Sequence, residues 1–464
     1  MLQQGQFDRR VGAVASVALL VLVVFFGALA YWQVWRTDLA TDEHNPRVLS
    51  SFTDPNRGRI LDRDGNVLAQ SLADGTRVYT DASVAHAIGY LSAQFGSQGA
   101  ELEFNDYLEG SAGNSWEGAL NAEFRRAATQ GQDVRLTIDP QIQAAAAQAL
   151  GARRGAVIAL DPRNGEVLAM VSVPTYDPGT LTDAVVNDES SPLLNRAAQG
   201  LYPPGSTFKT VTTISALENG VIKPDTPVEC VEGQMVFDGF PVSCRNVPQG
   251  EGRYPFKNAF TFSVNAILAQ VGVELGWDRL LETARKLGFE SEIPFTTDTV
   301  ASQVLSPGSE KTISLLASTA FGQGELLATP LQMALVAAAI ANDGVMADPH
   351  LGLAAYDGDH RLGDVESPGR RRVMSSEVAA TMREFMVSVV DNAQANGVQI
   401  PGVKVGGKTG TAETGQGTSH AWFIAFAPAD RPTIAVAVVV ENGGRGGEVA
   451  SPIAGQVIRA ALNR

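Results

Sequence analysis

The stretch that most restricts this chain is Tyr202-Pro203-Pro204-Gly205-Ser206-Thr207-Phe208-Lys209. Two prolines and a glycine cannot sit inside a helix, but they suit the approach to one. Beyond them Phe208, Val211, Ile214 and Leu217 recur at helical spacing, and Asn219-Gly220 is a stop signal. The pattern predicts a largely buried helix with Ser206 in its first turn. Lys209, three residues on, shares a face with Ser206. A serine hydroxyl is a poor nucleophile until a base takes its proton. A lysine can be that base only as the free amine, so its ordinary pKa of about 10.4 must fall by about 3 units, roughly 4–5 kcal/mol. Burial and a second nearby cation both push that way, so the chain should supply another lysine. A helix N-terminus also favours negative charge developing on Ser206. Serine three residues before lysine is common by chance, and alone it decides nothing.

Two later stretches change its weight. Phe262-Ser263-Val264-Asn265 supplies serine-x-asparagine, and Gly407-Lys408-Thr409-Gly410-Thr411 supplies lysine-threonine-glycine, with Lys408 as the second cation. The three occur in the order, and at the domain-scale spacing, of the motif set of penicillin-binding proteins and serine β-lactamases. The chain resembles the class B penicillin-binding proteins, the serine D,D-transpeptidases that cross-link peptidoglycan, and among them the small penicillin-binding protein A type. Further stretches carry the likeness: Pro55-Asn56-Arg57-Gly58, Leu136-Thr137-Ile138-Asp139-Pro140, Asn195-Arg196, Gly322-Gln323-Gly324 and His420-Ala421-Trp422-Phe423. Asp177-Pro178-Gly179 departs from the usual Asp-Pro-Asn, a change of turn rather than of chemistry.

The resemblance implies an α/β (α+β) penicillin-binding transpeptidase fold. Helices would cover a five-stranded antiparallel sheet, beside a small β-rich pedestal and an N-terminal transmembrane helix. It also implies roles. Ser206 would attack the carbonyl between two D-alanines of a stem peptide, and Lys209 would take its proton. Ser263 would relay the proton to the leaving amine with help from Lys408. Asn265 would orient Lys209 or the substrate amide. Thr409, Gly410 and Thr411 would bind substrate, the two hydroxyls taking its carboxylate, and the backbone N–H groups of Ser206 and Thr411 would form the oxyanion hole. β-Lactams would acylate Ser206. The implied partner of the pedestal is a membrane glycan polymerase of the shape, elongation, division and sporulation family. A serine β-lactamase or D,D-carboxypeptidase would share the same motifs, and a non-catalytic sensor or scaffold is the reading from another class. Acceptor chemistry and deacylation rate separate the enzymes, while a scaffold would tolerate loss of Ser206 or Lys408.

Composition sets the remaining bounds. With 464 residues, 44% hydrophobic and 18% charged, there is ample core material for two or three domains. A net charge of −15 gives no sign of the basic face that nucleic-acid binding would need. Val11 to Trp35 runs 25 residues without a charge after Arg9-Arg10. As a helix it spans about 37 Å, enough for a hydrocarbon core of roughly 30 Å. Tyr31, Trp32 and Trp35 suit an interfacial belt, and the arginines place the N-terminus in the cytoplasm. Ala28-Leu29-Ala30 looks like a signal-peptide cleavage site, but the apolar run exceeds a usual signal core, so an uncleaved single-pass anchor in a bacterial membrane is expected. The expected division is a cytoplasmic tail at 1–10, the membrane span at 11–35, the pedestal at 36–133 and the catalytic domain at 134–464.

Cys230 and Cys244 flank a short polar loop and could pair outside a reducing cytoplasm, or remain thiols. The five histidines show no metal-ligand spacing, so neither metal nor cofactor is expected. Asn258 to Leu275 reads as one helix carrying Ser263 and Asn265. Thr329-Pro330 reads as a helix start, and Ile434 to Val440 as a strand buried on both faces.

Overall fold

The computed structural model describes residues 16, 19–28, 31, 52–112, 130–230, 233–245, 252–392, 395–415 and 417–463. Its centre is a five-stranded antiparallel sheet, ordered Gly406–Ala412, His420–Ala427, Ile434–Val440, Gly155–Leu160 and Val167–Val173. Period-two alternation feeds two cores. Ala435, Ala437 and Val439 join Ile158 on one face, against the wholly buried helix Pro330–Ala341. Ile434, Val436 and Val438 join Val157 on the other, against helices Pro140–Leu150 and Ala450–Leu462. An apolar strand with no polar face is what burial on both sides requires. Helix Pro330–Ala341 starts as its sequence dictates: Thr329 caps it by accepting from Gln332 N–H, and Pro330 takes the first position.

A second sheet lies beside the first. Its six strands run His360–Gly363, Gly352–Asp357, Asp133–Leu136, Ile60–Leu61, Val67–Ser71 and Arg77–Tyr79. Ile60–Leu61 and Val67–Ser71 pair as an antiparallel hairpin, but the expected boundary at 133/134 falls inside a strand. Two further strands come from beyond residue 350, so the later chain returns to complete this sheet. A buried ion triad holds the small unit. Glu101, fully buried, accepts from Arg57 Nε and Nη2 at 3.0 and 2.9 Å and from Arg77 Nε at 2.7 Å. A buried carboxylate with two guanidinium partners has its lone pairs satisfied, which removes most of the burial penalty.

Cys230 and Cys244 are joined by a disulfide at the base of the hairpin Gln234–Phe237 and Phe240–Ser243. Residues 19–28 are helical with their apolar side chains half or more exposed. Among the described residues no helix is long and apolar enough to cross a membrane. The tail at 1–10, most of the expected span and residues 36–51 lie outside the described residues.

Candidate active site

Ser206 sits in a single 3-10 turn, Gly205–Thr207, which runs directly into helix Lys209–Glu218. Thr207 Oγ1 donates to Pro204 O at 2.7 Å and Thr210 Oγ1 to Thr207 O at 2.7 Å, so the turn is braced by its own side chains. Phe208 is fully buried edge-on against Phe289 at 5.6 Å and pins the helix start. Gly205 has φ +54°, and Gly322 packs flush on it, because a Cβ at Gly322 would fall 1.7 Å from Gly205 O.

Ser263 and Asn265 arrive differently from the single helix expected. The helix breaks into Phe256–Thr261 and Asn265–Leu275, and Ser263 in the break has φ +60°, strained for a residue with a Cβ. An unbroken helix would commit the Ser263 carbonyl to its own ladder. The break frees that carbonyl, and Lys209 Nζ donates to it at 2.7 Å. Lys209 Nζ also lies 2.6 Å from Asn265 Oδ1 and 3.0 Å from Ser263 Oγ. Lys408 Nζ donates to Ser263 Oγ at 3.0 Å and to Thr409 O at 3.2 Å. One hydroxyl therefore bridges two lysines, both fully buried.

The electrostatics follow from that burial. Desolvation, and then the neighbouring Lys408, push the Lys209 amine well below its ordinary 10.5. Desolvation pushes Lys408 down to about 7. The contacts of Lys209 serve either proton state. As ammonium it donates to all three oxygens; as amine it donates to the two carbonyls and turns its lone pair to a hydroxyl. A proton can thus come and go with little rearrangement.

Ser206, Ser263, Asn265, Thr409 and Thr411 line one cleft of about 540 Å³. It continues past Ser206 into a lobe of about 440 Å³ walled by Phe240, Pro241, Val242 and Phe321. Gly410 is placed otherwise than expected. It faces inward, where a Cβ would meet Pro204 O at 2.8 Å and Trp422 Cβ at 2.9 Å. Its missing side chain admits the nucleophile's own turn rather than a substrate chain.

Sequence reasoning missed Glu441. This carboxylate takes Arg196 Nε at 3.0 Å, Arg154 Nε at 2.6 Å and Tyr202 O–H at 2.8 Å. Tyr202 stacks edge-on against His420 and Trp422, at 5.5 and 6.2 Å. The network ties the start of the nucleophile turn to the end of strand Ile434–Val440. The one available signal was an acid ending an apolar run. Arg245, Glu413, Arg445 and Glu448 at the cleft wall were also missed.

A serine beside a desolvated lysine, on a helix start facing the outer strand of an antiparallel sheet, defines an active-serine acyl-transfer enzyme. The chain belongs to the penicillin-binding protein transpeptidase family. The penicillin binding protein transpeptidase domain profile matches residues 155–459, and the penicillin binding protein A dimerisation domain profile matches 57–134. The peptidoglycan D,D-transpeptidase PbpA of Mycolicibacterium smegmatis is 36% identical over 96% of this chain and 98% of its own. PbpA of Mycobacterium tuberculosis is also 36% identical, over 97% and 98%. Among solved structures, a ceftriaxone acyl-enzyme complex of M. tuberculosis penicillin-binding protein A superposes with a TM-score of 0.80 at 34% identity. It covers 89% of this chain and 100% of that one. A D,D-transpeptidase domain from Eggerthella lenta gives 0.78 at 36% identity, over 88% and 98%.

Proposed function

We infer that this chain is a serine D,D-transpeptidase that cross-links peptidoglycan stem peptides and is inhibited by β-lactams. One observation carries the reading: Lys209 and Lys408, both buried, meet on the single hydroxyl of Ser263 beside the Ser206 cleft. The neutral Lys209 amine takes the Ser206 proton as Oγ bonds to the D-alanyl carbonyl carbon. The oxyanion rests on the N–H groups of Ser206 and Thr411; losing one such donor typically costs about 3–4 kcal/mol. The proton passes through Ser263 to the leaving D-alanine nitrogen, and the C–N bond breaks. An amine of a second stem then attacks the ester carbonyl carbon and gives a proton to Lys209, which passes it to Ser206 Oγ as the ester C–O bond breaks, so that the free amine and the serine hydroxyl are both restored. Lys408, as ammonium, and the Thr409 and Thr411 hydroxyls hold the terminal carboxylate.

The finer claims belong to the same reading. The chain is anchored in the cell membrane by 11–35 with the tail 1–10 inside, which the uncharged run behind Arg9-Arg10 supports. The region 36–133 raises the catalytic region 134–464 above the membrane and docks a glycan polymerase of the shape, elongation, division and sporulation family. Its support is that Ile60–Leu61, Val67–Ser71 and Arg77–Tyr79 form one side of the six-stranded sheet, away from the five-stranded sheet that carries Lys408.

Labelling with fluorescent penicillin, followed by mass-spectrometric peptide mapping and a chase, tests the assignment. The adduct is expected on Ser206, absent in Ser206→Ala, and persistent through the chase. Label on another residue contradicts the nucleophile, and rapid loss of label indicates the hydrolytic alternatives.

A further inference from the structure

We propose that Glu413 forms a subsite for a positively charged side chain of the donor peptide, on the N-terminal side of the D-alanyl bond that is broken. The proposal rests on the transpeptidase reading above and adds a substrate feature to it.

Strand Gly406–Ala412 is the outermost of its sheet, paired on one edge with His420–Ala427. Along it Gly410 and Ala412 are buried, whereas Thr409, Thr411 and Glu413 are partly or fully exposed and line the cleft. The cleft-facing series is therefore hydroxyl, hydroxyl, carboxylate, each step about 6.7 Å. A peptide that pairs with this edge antiparallel runs from its C-terminus toward its N-terminus as the strand runs from Lys408 to Glu413. With its carboxylate at Lys408 and Thr409, and its reacting carbonyl at the Thr411 N–H, the residue preceding the D-alanyl pair comes level with Glu413.

The charges of the cleft wall agree. Arg445 and Glu448 are paired at 3.2 Å. Glu413 lines both lobes of the cleft and makes no ion pair among the described residues. Arg245 also lines the larger lobe, but in the smaller lobe Glu413 is the one charged residue among those described, and a carboxylate there, beside the path of a peptide, favours a cation. Cross-linking supplies one. The stem that resolves the acyl-enzyme does so with an amine, and the donor stem is a unit of the same polymer. It carries that amine too, as ammonium at neutral pH.

Two penicillins make the test: one with a primary aminoalkyl group on its acyl side chain, and its N-acetyl derivative. The purified full-length chain is acylated with each, and the second-order rate constants are compared. Wild type is expected to favour the amine-bearing compound about tenfold. Glu413→Gln should bring the ratio within twofold of unity, and Glu413→Asp should restore part of it. Equal rates in wild type, or a preference that survives Glu413→Gln, overturns the proposal. A second arm follows a preformed acyl-enzyme as it partitions between water and an amine acceptor. If Glu413→Gln changes that partition and leaves the donor preference intact, the subsite belongs to the acceptor and the proposal fails. Absence of any adduct on Ser206 with either penicillin sinks the transpeptidase reading itself, and this one with it.

Discussion

Replacing Lys408 with methionine should make the protein more stable while it abolishes acylation. The side chain is fully buried, and desolvation brings its pKa from 10.5 to about 7. The unfolded chain holds a proton on this lysine up to about pH 10.4, whereas the folded chain releases it near 7. Between those values the unfolded state binds more protons, so stability rises with pH by about 1.4 kcal/mol per unit. Holding this lysine costs about 5 kcal/mol of stability at pH 7, and the cost fades as pH approaches 10.4. Methionine fills similar space, has no charge to desolvate and packs well against the Phe260 ring that Lys408 faces. Two hydrogen bonds, to Ser263 Oγ and Thr409 O, are lost at about 1 kcal/mol each. The net expectation is a gain of about 3 kcal/mol at pH 7, gone by pH 10. Urea denaturation of both proteins from pH 6 to pH 10 measures it. A Lys408→Met protein less stable than wild type at pH 7, or a difference that ignores pH, refutes the claim that Lys408 is held against its hydration.

The pH profile of kcat/KM for acylation should be bell-shaped. It falls on the acid side as Lys209 takes a proton and on the alkaline side as Lys408 loses its own near 7; stopped-flow penicillin fluorescence follows both limbs. Gly322→Ala should cut acylation at least a hundredfold and lower Tm, because the new Cβ meets Gly205 O at a φ of +90° that alanine resists. Glu441→Gln leaves the buried Arg196 guanidinium without its counter-charge and should cost about 3 kcal/mol in urea denaturation.

Much of the catalytic core is legible in the sequence because it depends on local rules. The Pro-Pro-Gly approach, the Thr329-Pro330 start and the all-apolar run Ile434–Val440 each state their conformation within a few residues. The demand for a second cation was likewise readable, since a lysine base needs one wherever the chain brings it. What could not be read depends on long-range contact. The break at Ser263 sits inside an apolar helical pattern, and its strain is upheld by Lys209, 54 residues earlier. Glu441 has meaning only through Arg196 and Tyr202, more than 230 residues away. Gly410 was grouped with Thr409 and Thr411 as a substrate residue, because no sequence rule tells which face of a strand a turn will pack on. The strand Asp133–Leu136 looked like a domain start, and only its pairing with Ile60–Leu61 and Gly352–Asp357 shows it as an inner strand of the six-stranded sheet, between the N-terminal strands and those contributed from beyond residue 350.

The central claim is that Lys209 is a neutral amine at working pH. Carbon-13 NMR of lysine side chains, with the Lys209 signal identified by its loss in Lys209→Arg, measures this directly. Because burial and the neighbouring Lys408 disfavour its charge, the Lys209 Cε resonance is expected to pass to the neutral-amine range at a pH well below that of the surface lysines. A Lys209 signal that titrates near 10.5 with the rest would contradict it.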